Sequence, residues 1–127
     1  MIIDELMKYA APEAGTQVIK DIRIGLGYTC VELSGGGCGL AYTFRRDTGH
    51  TCSVLGTAGT LLGLPVSDML TWARSDNIIK AALGLATINA LINRESPGMT
   101  RANVADALEV RKQDTFGMVG AFRPILK

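Results

Sequence analysis

Four side chains carry the soft donors that transition and heavy metals prefer: the thiols of Cys30, Cys38 and Cys52, and the imidazole of His50, the one histidine of the chain. His50-Thr51-Cys52 sets an imidazole and a thiol two residues apart in a loop. Cys30 and Cys38 fall near the centre of one strand and the start of the next, where antiparallel pairing would make them cross-strand neighbours. A transition or heavy metal ion held by Cys30, Cys38, His50 and Cys52 is the first chemistry this pattern admits. No Cys-x-x-Cys pair is present, and a cysteine alone in a strand otherwise packs as a small hydrophobe. The same residues admit thiol catalysis, with His50 activating Cys52 or Cys38. Glu32, on the strand face of Cys30, fits an acid, a base, a ligand or a plain solvated carboxylate.

Two glycine-rich stretches offer backbone amides to a ligand. Gly35-Gly36-Gly37 could cradle an anion, although no helix start with Lys and Ser or Thr follows it, as a phosphate loop requires, and a hairpin turn accounts for the same glycines. Gly56-Thr57-Ala58-Gly59-Thr60 has the hydroxyls and small side chains of an anion-binding loop and lies between the sheet and the helices. Asn89, among apolar neighbours on a helix, either satisfies its amide internally or aims it into a pocket. Gly35, Gly36, Gly37, Gly56, Thr57, Gly59, Thr60 and Asn89 are thus the expected ligand-binding residues.

The elements that position them follow from periodicity. Ile3, Leu6, Met7 and Ala10 recur at helical spacing until Pro12 and Gly15. From Val18 the period is two: Ile22, Ile24 and Leu26 alternate with Asp21, Arg23 and Gly25 as one half-buried strand. Thr29, Val31 and Leu33 oppose Tyr28, Cys30 and Glu32 in a second, and Cys38, Leu40, Tyr42 and Phe44 oppose Gly39, Ala41 and Thr43 in a third. An antiparallel meander results. The stretch to Gly63 reads as a loop with one short helix. Ser67 is placed to cap a helix through Arg74, on which Met69 and Trp72 are expected in the core. Asp76 or Asn77 caps a longer helix over 78–93, in which Ile78, Ala82, Leu85, Ala86, Asn89 and Ile92 share a face that Ile79, Leu83 and Ala90 widen. Gly84 in its middle predicts a close backbone neighbour. Arg101 to Glu109 predicts a further helix, and Phe116 to Gly120 a short buried strand.

Composition excludes several functions. The 127 residues suffice for one core without staples. Thirteen basic against twelve acidic side chains leave a net charge of +1 and no basic stripe for nucleic acid; Arg45-Arg46 is followed at once by Asp47. No apolar run has the length of a membrane span, and Asp4 and Glu5 interrupt any leader-like start. Three cysteines without an export signal predict reduced thiols and a cytoplasmic setting.

Gly25-Leu26-Gly27-Tyr28-Thr29, Gly35-Gly36-Gly37-Cys38-Gly39-Leu40-Ala41, Ala82-Leu83-Gly84-Leu85-Ala86-Thr87-Ile88-Asn89-Ala90 and the late Gly117-Met118-Val119-Gly120 together resemble the heavy-metal chelation family of two-domain proteins. The resemblance implies an α+β, enolase N-terminal domain-like fold over 1–112: a three-stranded meander followed by a helical layer. It also implies the start of a Rossmann-like domain over 113–127. The expected function is a small-molecule or heavy-metal-binding domain whose site is completed at the interface with a Rossmann-like partner domain. A non-catalytic interaction module and a thiol-dependent enzyme are the alternatives. The apolar edge at Phe116 to Val119 makes a homodimer an expectation as well.

Overall fold

The computed structural model describes residues 1–44, 55–95, 97–102, 107, 108, 111, 113–115 and 117. His50, Cys52, the Arg45-Arg46 pair, all but Gly117 of the expected strand at Phe116 to Gly120 and most of the expected helix at 101–109 lie outside them.

Strict alternation of side-chain character produces the sheet. Strands β1 (Ile19–Ile24), β2 (Tyr28–Leu33) and β3 (Cys38–Tyr42) form an antiparallel meander in the order β1-β2-β3, as the sequence predicts. Thr29, Val31 and Leu33 of β2 are buried, as are Gly39 and Ala41 of β3 and the following Thr43. Tyr28, Leu40 and Tyr42 face outward. Cys30 opposes Leu40, and Glu32 opposes Cys38. The β2–β3 reversal closes with the Gly36 amide donating to the Leu33 carbonyl and the Leu33 amide to the Gly37 carbonyl, at 2.9 and 2.8 Å. Gly36 occupies the left-handed region that this loop needs, at φ 87°.

β1 departs from simple alternation. A bulge between Ile19 and Asp21 sets two β1 residues against one of β2, so Ile19 and Ile22, three apart, both lie opposite inward residues, Leu33 and Val31. Ile19 becomes the buried anchor of this strand. Ile24 and Leu26, expected on the core face, are largely exposed, because Ile24 lies at the end of the strand and Leu26 in the turn where the Gly25 amide donates to the Tyr28 carbonyl.

Of helices α1 (Ile2–Ala14), α2 (Val66–Thr71) and α3 (Ile78–Ile92), α3 covers the inner face of the sheet, and α1, α2 and a 3-10 turn at Trp72–Arg74 pack against α3. α1 runs through Pro12 and stops only at Gly15, at φ 48°, since a proline in the last turn removes just one hydrogen bond. α2 begins after Pro65, two positions earlier than a Ser67 cap would place it. The Val66 amide there is satisfied by the Gln17 carbonyl at 3.0 Å, and no side chain is needed. Met69 is fully buried and Trp72 partly so. Asn77 caps α3 as expected, its side-chain oxygen accepting from the Ile79 and Lys80 amides.

α3 is the central element and is buried on several sides. Its deepest residues are Leu83, Ala86, Thr87, Ile88, Ala90 and Leu91. Ile78, Leu85, Asn89 and Ile92, expected on the same inward face as Ala82 and Ala86, are only half-buried, because the sheet takes the side of the helix that carries Ala86 and Ala90. A Cβ on Gly39 would collide with the backbone of Ala86 and Ala90, and one on Gly37 with the Ala90 carbonyl. On another side, a Cβ on Gly84 would strike the backbone of Trp72 and Ala73, the close neighbour that a mid-helix glycine predicts.

The chain divides into two compact units, Met1–Arg94 and Glu95–Lys127. In the second, the described residues include the turn at Pro97 and Gly98, with Gly98 at φ 91°, and an ion pair between Arg101 and Glu95. In residues 55–63, the described part of the stretch expected to hold a loop and one short helix, the chain makes successive turns, with Gly59 and Gly63 at positive φ. Among the described residues no helix is long and apolar enough to cross a membrane.

Candidate functional site

The meander sorts side chains so that both strand cysteines emerge on the outer face. Their sulfurs lie 3.4 Å apart as free thiols, Cys38 exposed and Cys30 half-buried, on the diagonal between the Cys30–Leu40 and Glu32–Cys38 pairs. Burial, reinforced by the hydrogen bond shared with Cys38, pushes the Cys30 thiol above its ordinary pKa. Charged groups flank the pair on the β1 side. Lys20 Nζ sits 2.6 Å from Glu32 Oε1, and Arg23 Nε sits 2.9 Å from Asp21 Oδ2. The hydrogen bond from Arg23 holds the Asp21 carboxyl below its usual value, and Glu32 raises Lys20. On the β3 side the pair borders Leu40 and an edge-to-face aromatic series, Tyr28 to Tyr42 at 6.2 Å and Tyr42 to Phe44 at 5.0 Å.

The structure therefore joins Cys30 and Cys38, as cross-strand pairing predicts. Among the described residues no cluster of three or more His, Cys, Asp or Glu side chains is placed to hold a metal ion. The fold supplies two thiols at one point, with both expected partners, His50 and Cys52, beyond the described chain.

The expected glycine sites lie elsewhere. The Gly35 amide donates to Gln17 Oε1 at 3.1 Å and the Gly36 amide to the Leu33 carbonyl, so two amides of this turn already have partners. Gly37 faces α3. In the second stretch the Thr60 amide and hydroxyl both donate to the Thr57 carbonyl, while Gly56 and Gly59 stand in open space. Gly59 helps to line an apolar groove of about 320 Å³ bounded by Asp21, Ile22 and Ile24 of β1 and by Leu55, Ala58, Leu61 and Leu62. Asn89 Nδ2 donates to the Leu40 carbonyl at 2.7 Å and braces β3 from the helix.

Gln17 escapes sequence reasoning altogether. Its side-chain amide donates to the Glu13 carbonyl at 2.7 Å and accepts from Gly35, while its own carbonyl accepts from Val66, so one residue ties the end of α1 to the hairpin and to the start of α2. Nothing in its local sequence marks it, because every partner but Glu13 and Ala14 is distant in the chain. The aromatic series was legible in principle: Tyr28, Tyr42 and Phe44 share the parity of the outward cysteines.

Comparison with known proteins gives family and fold. No curated protein matches the chain. The fold is similar to that of a DUF364-family protein of unknown function from Pyrococcus horikoshii, at a TM-score of 0.63 and 24% identity over 86% of this chain. The match covers 44% of that longer chain. A DUF364-family protein of unknown function from Desulfitobacterium hafniense DCB-2 matches 68% of this chain and 35% of its own, at 22% identity and a TM-score of 0.49. The sequence pattern described as "Putative heavy-metal chelation" matches residues 7–92, which contain the whole meander, both of its cysteines and all of α3; the chain belongs to this family.

Proposed function

We propose that this chain chelates a thiophilic metal ion through Cys30 and Cys38. One observation carries the reading: two free thiols lie 3.4 Å apart on the outer face of a sheet, close enough to bind one ion together. The donor set fits a soft transition or heavy metal. Magnesium or calcium would need a shell of oxygens, whereas the nearest carboxylates, Glu32 and Asp21, are engaged with Lys20 and Arg23. Binding replaces the two thiol protons, so affinity rises with pH, and the raised pKa of Cys30 extends that rise into the alkaline range. A reducing compartment such as the cytoplasm keeps both thiols available.

Metal content after anaerobic purification tests the proposal. Bound metal is expected to disappear in Cys30→Ser/Cys38→Ser and to persist in His50→Ala/Cys52→Ala. The reverse pattern would move the site to the His50 loop.

A second reading, binding of a small molecule, draws on the groove beside β1. Its lining of Ile22, Ile24, Leu55, Ala58, Leu61 and Leu62 suits a small apolar ligand. The Gly56 to Thr60 turn forms part of its wall, and a Rossmann-like partner domain, of the kind the family resemblance implies, would close it. Ligand-induced protection of the Leu61 and Leu62 amides in hydrogen exchange, abolished by Ala58→Trp, is the expected result; unchanged exchange at saturating ligand would refute this reading.

A further inference from the structure

We infer that the Cys30–Cys38 pair is half of a four-thiolate site, and that a second copy of this chain, packed sheet to sheet through the outer face of the meander, supplies the other half. The inference rests on the chelation reading and extends it to the assembly. Two thiols leave a four-coordinate soft ion such as zinc or cadmium short of two ligands, and the described residues provide no third. Cys38 is exposed and Cys30 half-buried. They open onto a face where Tyr28, Leu40, Tyr42 and Phe44 are 64, 55, 56 and 46% exposed, an apolar surface on a sheet whose other side is already covered by helices.

A second copy matches this face in three respects. It brings two further thiols of the right softness, and it brings an apolar aromatic surface of the same character. It also brings no net repulsion, because each charge bordering the pair is neutralised within its own chain, Lys20 by Glu32 and Arg23 by Asp21. A two-fold axis near the sulfurs gives both copies identical contacts.

The test uses the reduced full-length chain and Cd(II), which is soft and redox-inert. Mass by sedimentation is followed together with bound cadmium per chain and the thiolate-to-metal absorption band. The expected result is one cadmium per two chains, a doubling of mass on loading, and loss of both in Cys30→Ser/Cys38→Ser. Tyr42→Glu, at an exposed position, should keep the circular dichroism of the parent while weakening dimerisation by about tenfold or more, as a buried charge in an apolar interface requires. One cadmium per chain in a monomer would overturn the second copy and leave chelation standing. No bound cadmium would overturn both. A dimer indifferent to the cysteine substitutions would overturn the metal bridge.

Discussion

Gly39 and Gly84 each lie against a neighbouring backbone that cannot swing aside as a side chain can. Replacement of either by Ala is expected to cost about 2 kcal/mol or more, measured by denaturant unfolding, because overpacking must move α3 from the sheet or from the 3-10 turn. Gly56→Ala, where the added methyl meets open space, should stay within about 0.5 kcal/mol. The periodicity of 78–93 makes Gly84 conspicuous, so its close neighbour could be expected from sequence. The role of Gly39 could not, since strand parity sets it on the face of Ala41 and Thr43 without showing that a helix backbone lies against it. Cys30 and Cys38 were legible as a pair for the opposite reason: strand parity and a short hairpin leave few other places for them. His50 and Cys52, the other two ligands that the sequence suggests, lie outside the described residues.

Between elements, the polar contacts fix the register. Thr29 and Thr43 share a hydrogen bond of 2.9 Å, buried between β2 and the end of β3. Thr29→Val alone should destabilise by about 1–3 kcal/mol by leaving Thr43 buried without this partner. Thr29→Val/Thr43→Val should recover much of that loss, a coupling that a double-mutant cycle of unfolding free energies measures directly. At the start of α3, Asn77→Ala is expected to cost about 1 kcal/mol through the Ile79 and Lys80 amides. That cap was readable from local sequence. The bulge in β1 was not, as Ile19, Ile22 and Ile24 obey neither a period of two nor one of 3.6, and only the pairing with Leu33, Val31 and Thr29 shows all three opposite core residues.

For the molecule as a whole, ion pairs at the N-terminus and beside the site set its response to pH. The Asp4 carboxyl is held low chiefly by its hydrogen bond from the N-terminal ammonium, with Arg74 adding to it, and Asp21 chiefly by Arg23. A lowered folded-state pKa gives stability that is present above the unfolded value and lost as pH falls through the folded one. The thermal midpoint should therefore decline below about pH 4, and less steeply at high salt, since these groups are exposed. Cys30 acts in the opposite sense: its raised pKa gives stability that is complete below the unfolded value and fades as pH rises through the folded one, above about pH 8.5. Loading with a thiophilic ion should raise the midpoint at neutral pH by mass action and remove the alkaline decline, since the thiolates are then ligands. X-ray absorption at the edge of the bound metal addresses the central claim most directly. The account predicts a sulfur-only first shell that vanishes in Cys30→Ser/Cys38→Ser; a shell containing imidazole nitrogen that survives those substitutions would contradict it.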